Sequence, residues 1–147
     1  MDPSVRTIFF YGLFMDRAHL EAEGLDPVVV GPAALRGYSL HIGDRATQLP
    51  RPASRALGVV MRLTDPEARA LYADSSVAEY RPEPVCVELV ETGRAVDAEC
   101  FVLPPERSTP GANPEYARRL AALAGALGFE PDYVAEILAF SGPRGAT

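Results

Sequence analysis

The sequence predicts an α+β domain: a mostly antiparallel, curved sheet with helices beside it, rather than repeated βαβ units. Three observations carry this. Short apolar runs follow one another with turn residues between them, in the order β-α-β-β-β-α-β-β-α-α. Thr92-Gly93 separates two such runs, Val85 to Val90 and Ala95 to Leu103, as the turn of a hairpin. The two clearest helical patterns come together at the end of the chain instead of alternating with strands.

Each element has a local reason. Thr7 to Tyr11 is a buried strand bounded by Gly12, and a short helix from Asp16 to Glu23 is ended by Gly24. Pro27 to Val30 and Ala33 to Ile42 read as two extended segments, broken at Gly31-Pro32 and Gly37. Gly43 to Ser54 contains two prolines and several polar turn formers, and reads as a surface loop before the apolar strand Ala56 to Leu63. Thr64-Asp65-Pro66-Glu67 starts a helix running to about Ala73: Thr64 caps, Pro66 has its φ preset and Glu67 completes a capping box. Pro104 to Ala112 reads as a linker within the domain. Asn113-Pro114 opens a helix with Tyr116, Leu120, Leu123 and Leu127 on one face, and Pro131 opens the last helix.

Composition narrows the class. The chain has 147 residues, 48% of them hydrophobic and 23% charged, which suits one globular domain over residues 1–147. Acidic residues outnumber basic ones, 20 to 14, for a formal charge of -6, and no basic run exists to meet nucleic acid. The first residues do not read as a signal peptide and no apolar run reaches 18 residues, so the expectation is a cytoplasmic protein with no membrane partner. Cys86 and Cys100 are not in a C-x-x-C pair, and His19 and His41 are not at metal-ligand spacing. No metal and no cofactor are expected, and both cysteines read as reduced, partly buried thiols, unless the hairpin register happens to oppose them.

The stretch Phe9-Phe10-Tyr11-Gly12-Leu13-Phe14-Met15-Asp16 carries the chemistry. A strand that ends in glycine and feeds a helix leaves N–H donors unpaired, and such donors suit an anion. Gly12 reads as a residue that takes positive φ and lets the backbone approach a ligand closely. The stretch is neither G-x-G-x-x-G nor Walker, so nothing supports a nucleotide.

Taken with other segments, this loop resembles the opening motif Y-G-x-x-M of the γ-glutamylcyclotransferase-like family. Ala33-Ala34-Leu35-Arg36-Gly37-Tyr38-Ser39-Leu40 is similar to that family's A-x-L-x-G-Y-x-L strand. Ala46-Thr47 and Gly58-Val59-Val60 are similar to its A-T loop and G-V strand, and the likeness continues to Tyr80 and through the closing helices. The resemblance implies a small mixed, mostly antiparallel β-barrel with flanking helices and a cavity at one end. It implies that the backbone of Tyr11, Gly12, Leu13, Phe14 and Met15 binds the α-carboxylate of a small-molecule γ-glutamyl-type ligand. Tyr80 and Tyr116 are the tyrosines that resemblance places beside that ligand. It further implies a glutamate that takes a proton from the substrate α-amine, so that the amine attacks the γ-carbonyl and releases pyroglutamate.

The sequence departs from the family at that glutamate. In Leu71-Tyr72-Ala73-Asp74-Ser75-Ser76-Val77, Tyr72 stands for the family aspartate, Ser75 for the glutamate and Ser76 for the glycine. A serine hydroxyl is a very poor base near neutral pH. Three readings follow. One is a pocket protein that binds a γ-glutamyl or similar small amino-acid-derived ligand without the usual base. Another is an active cyclotransferase with Glu79 or Asp74 as acid/base. The third is a partner-binding domain whose cavity is filled by its own Leu13 and Phe14. Arg45 and Arg51 read as surface charges, and the oligomeric state stays open.

Overall fold

The computed structural model describes residues 4–74, 77–104 and 111–141. Five strands form a closed barrel in the order β1-β3-β2-β4-β5, where β1 is Val5–Phe10, β2 Val28–Ile42, β3 Ala46–Thr64, β4 Arg81–Leu89 and β5 Ala95–Val102. Four pairings are antiparallel, and closure comes from a parallel contact of β1 with β5 at Ile8 and Glu99. Arg6 reinforces that seam with two hydrogen bonds to the Glu99 carboxylate, at 2.9 and 2.6 Å. The helices are α1 (Arg17–Ala22), α2 (Asp65–Leu71), α3 (Pro114–Ala126) and α4 (Pro131–Leu138).

The expected α+β fold with a mostly antiparallel barrel is the one observed. The chemistry of its local signals is visible too. Thr64 and Glu67 form the reciprocal capping box of α2, with Glu67 N–H donating to Thr64 Oγ1 and Thr64 N–H donating to Glu67 Oε1 at 2.8 Å. Asp16 caps α1 through a bond from Ala18 N–H. On α3 the buried stripe is Ala117, Leu120, Ala121 and Ala124, with Tyr116 and Leu123 at its margins; Leu127 lies outside it and is exposed.

Three expectations change. The two extended segments before Ile42 are one strand, β2, and the glycine breaks are shifts of register near Gly31 and Gly37. Residues 43–54 are not a surface loop: only a tight turn separates β2 from β3, and the β3 residues Ala46, Thr47 and Gln48 are buried. Their polar side chains find partners across the barrel, which propensity alone does not reveal. Leu103 N–H donates to Thr47 Oγ1 and the Cys100 thiol to Gln48 Oε1, both at 3.0 Å. Residues 51–54 form the irregular part, lying opposite Gly37 alone in the register. Finally, β4 begins at Arg81, before the expected Val85. Its Pro82 and Pro84 are tolerated because β4 meets β2 only near Glu88 and Leu89, leaving its first half an edge that needs no second row of N–H donors.

The hairpin register separates the cysteines. Cys86 pairs with Asp97 and Cys100 with Glu83, so both are free thiols; Cys86 is exposed rather than partly buried, and Cys100 is buried. No helix among the described residues is long and apolar enough to cross a membrane. Most of the expected linker, residues 105–110, lies outside the described residues.

One glycine fixes how closely β1 packs on β3. A Cβ on Gly58 would lie 2.1 Å from the Phe10 carbonyl oxygen and 2.8 Å from the Phe9 ring. This close approach holds the end of β1, just before the loop that follows it, tightly against β3.

Candidate functional site

Beyond β1 the chain makes a single 3-10 turn, Leu13–Met15, before α1. Met15 N–H bonds back to the Gly12 carbonyl and Asp16 N–H to that of Leu13, at 3.0 and 3.2 Å. Leu13 N–H donates to the Tyr116 hydroxyl at 3.3 Å. Among the described residues nothing accepts from the N–H of Gly12 or of Phe14. The loop therefore presents two open backbone donors, with a phenol beside them.

Gly12 has φ −114 and ψ −151, an extended conformation open to any residue. Its lack of a side chain serves space instead. A Cβ would lie 2.5 Å from the Tyr116 hydroxyl oxygen. Tyr116 is itself held by Asn113, the cap of α3, whose side-chain oxygen accepts from Tyr116 N–H at 3.1 Å while its Nδ2 donates to the Asp44 carbonyl at 3.2 Å. One asparagine thus ties the β2–β3 turn, α3 and the glycine loop together.

These elements enclose a cavity of about 360 Å³. Its apolar wall is made by Phe10, Phe14, Tyr72 and Phe101. Tyr72 stacks on Phe101 with ring centroids 3.9 Å apart and meets Phe14 edge-on at 5.8 Å. Tyr72, expected from the resemblance to stand in place of the family aspartate, is part of the aromatic wall. The polar lining comes from Tyr80, Tyr116, Asn113, Asp44, Arg45 and Arg119, with His19 on α1. Burial raises the phenols of Tyr11, Tyr72, Tyr80 and Tyr116 above their ordinary value, so at neutral pH they stay protonated donors.

Of the residues singled out from sequence, Tyr11, Gly12, Leu13, Phe14, Tyr80 and Tyr116 all line the cavity. The Tyr11 hydroxyl is engaged by the Phe101 carbonyl at 2.6 Å, so it offers the cavity its ring; the Tyr80 hydroxyl is bonded to the Ala46 carbonyl. Met15 is in the core beneath the loop and is not part of the lining. Glu79 lies outside the lining and pairs with Arg45 at 2.8 Å. Asp74 is also outside it, whereas Ser75 lies outside the described residues.

Sequence reasoning weighed His19 only as a metal ligand and Asn113 only as a helix start, passed over Asp44 and Arg119, and treated Arg45 as surface charge. Arg119 alone had a readable signal, lying one turn after Tyr116 on α3. His19 and Asp44 reach the cavity only through the path of α1 and of the β2–β3 turn.

Comparison with known proteins agrees with the geometry. The chain is similar to a solved gamma-glutamyl cyclotransferase with a TM-score of 0.80 at 17% identity, covering 98% of this chain and 92% of that one. An uncharacterized protein from Homo sapiens superposes with a TM-score of 0.76 at 19% identity, over 98% and 92% of the two chains. YkqA from Bacillus subtilis is 25% identical with a TM-score of 0.75, over 99% of this chain and 57% of its own. No curated protein matches the sequence. Residues 8–119 match the family model described as gamma-glutamyl cyclotransferase, AIG2-like. The chain belongs to that family.

Proposed function

We propose that the cavity binds a γ-glutamyl or similar small amino-acid-derived compound, with its α-carboxylate on the N–H groups of Gly12 and Phe14 and the hydroxyl of Tyr116. The observation that carries this reading is the pair of open N–H donors at the cavity, beside a phenol that burial keeps protonated. A carboxylate accepting from three such donors gains charge-assisted hydrogen bonds, each worth about 1.5–3 kcal/mol. The aromatic wall then receives the aliphatic part of the ligand, in keeping with a small-molecule site of this volume.

Glu79 is the weaker candidate for the family's acid/base. Its carboxylate is held by Arg45, so turning it into the cavity requires breaking a 2.8 Å ion pair. An open cavity beside Gly12 also counts against the reading in which Leu13 and Phe14 fill the space and the domain only binds partners. The binding reading is therefore the one these residues favour.

Calorimetric titration with glutathione and simple γ-glutamyl amides tests it. Binding by the wild-type protein, weakened at least tenfold in Gly12→Ala, is the expected result. Wild-type affinity retained in Gly12→Ala contradicts it. Turnover retained by wild type and lost in Glu79→Gln or Asp74→Asn would move the acid/base role to those carboxylates.

A further inference from the structure

His19 has a setting that the ligand-binding reading leaves unused. It lies on α1, it is half-buried, and it lines the same cavity as Gly12, Leu13 and Tyr116. Its ring packs on Phe14 at a centroid distance of 5.7 Å and a tilt of 37°. Neither imidazole nitrogen makes a hydrogen bond among the described residues. An imidazole oriented by an aromatic neighbour, with both nitrogens open beside a ligand cavity, is placed to exchange protons with whatever the cavity holds.

Resting on the γ-glutamyl reading, we infer that His19 is the catalytic acid/base of this cavity, taking the place of the family's missing carboxylate in cyclisation. His19 takes one proton from the substrate α-ammonium. The freed amine attacks the γ-carbonyl carbon; a C–N bond forms and the carbonyl π electrons move onto oxygen. The imidazolium returns its proton to the departing nitrogen as the oxygen re-forms the carbonyl and the old C–N bond breaks. The second proton on the attacking nitrogen passes by the same imidazole to the released amine, which leaves as an ammonium. One C–N bond has formed and one has broken, charge is conserved, and no further reactant is needed.

The competing lining base is Asp44, in the β2–β3 turn. His19 is favoured over it because its ring packs on Phe14, the residue carrying one of the two open N–H donors. Asp44 is exposed. The other titratable or charged groups of the cavity are Arg45 from the same turn, Tyr11 after β1, Tyr72 after α2, Tyr80 before β4, and Tyr116 and Arg119 on α3. On α1 itself, Arg17 and Glu21 pair with each other at 2.9 Å.

The test measures pyroglutamate release and calorimetric affinity on the same full-length preparations, with glutathione and γ-glutamyl amides. Wild type should release pyroglutamate. His19→Gln should lower kcat by about 10²- to 10⁴-fold, with affinity changed less than threefold. Added imidazole should restore part of the turnover of His19→Ala, which a purely structural role would not allow. The inference is overturned if wild type binds but releases no pyroglutamate, if His19→Gln turns over normally, or if only Asp44→Asn abolishes release. Absence of binding by wild type instead removes the γ-glutamyl reading itself, and the affinity arm distinguishes the two failures.

Discussion

Gly12 and Tyr116 are mutually fitted: the hydroxyl of Tyr116 occupies the space where any other residue at position 12 would put its Cβ, 2.5 Å from the phenol oxygen. The same hydroxyl accepts from Leu13 N–H. Packing and hydrogen bonding thus set together the shape of the loop whose Gly12, Leu13 and Phe14 line the cavity.

The fit predicts a coupled pair of mutations. Gly12→Ala should destabilise the fold by about 1–3 kcal/mol, as an overpacked site does. Tyr116→Phe alone should cost about 1 kcal/mol, because Leu13 N–H loses its acceptor. In the double mutant the nearest remaining Tyr116 atom to the new Cβ is Cζ, at 3.8 Å, so much of the Gly12→Ala penalty should vanish. Urea unfolding of the four proteins reads this as a favourable coupling energy; simple additivity would mean that the loop moves aside instead.

Acid stability should respond to Glu67. Its carboxylate accepts from the N–H of Thr64 at 2.8 Å and of Asp26 at 2.9 Å, and these bonds hold it below the ordinary carboxylate range, the Thr64 bond contributing most. A carboxylate lowered in the folded state contributes stability that is present above its unfolded value, near 4.5, and is lost as pH falls through the lowered folded value. Glu67→Gln should therefore reduce the melting temperature at pH 6 and flatten its fall below about pH 4.5. Equal acid limbs for wild type and variant would contradict this.

Thiol chemistry should separate the two cysteines. Cys86 is exposed on β4, whereas Cys100 is buried beside Gln48, and its burial pushes the thiol up. A thiol reagent should titrate one group per folded chain and two after denaturation. Fast reaction of both in the native protein would show that the barrel opens readily near Cys100.

How much of this was legible in the sequence differs by kind of feature. The Thr64–Glu67 capping box and the Thr92-Gly93 hairpin were readable because their signals are local. The start of β3 was not. Thr47 and Gln48 look like loop residues until Leu103 and Cys100, more than fifty positions away, supply their partners. At the site, Gly12, Tyr80 and Tyr116 were found through a resemblance of motifs, and the physical reason for Gly12 proved to be space and not positive φ. His19 was weighed only as a metal ligand and Asp44 not at all, because no spacing rule links either to the loop. Only the path of α1 and the turn after β2 bring them to one cavity.

The central claim is that the loop of residues 12–14, with Tyr116, holds a carboxylate. Its most direct measurement is calorimetric titration with a γ-glutamyl amide and with the matched compound whose α-carboxylate is converted to a carboxamide. The account predicts that the free acid binds at least about tenfold more tightly, a difference near 1.4 kcal/mol, and that Gly12→Ala removes the preference. Equal affinity for the two compounds, with or without Gly12, would contradict it.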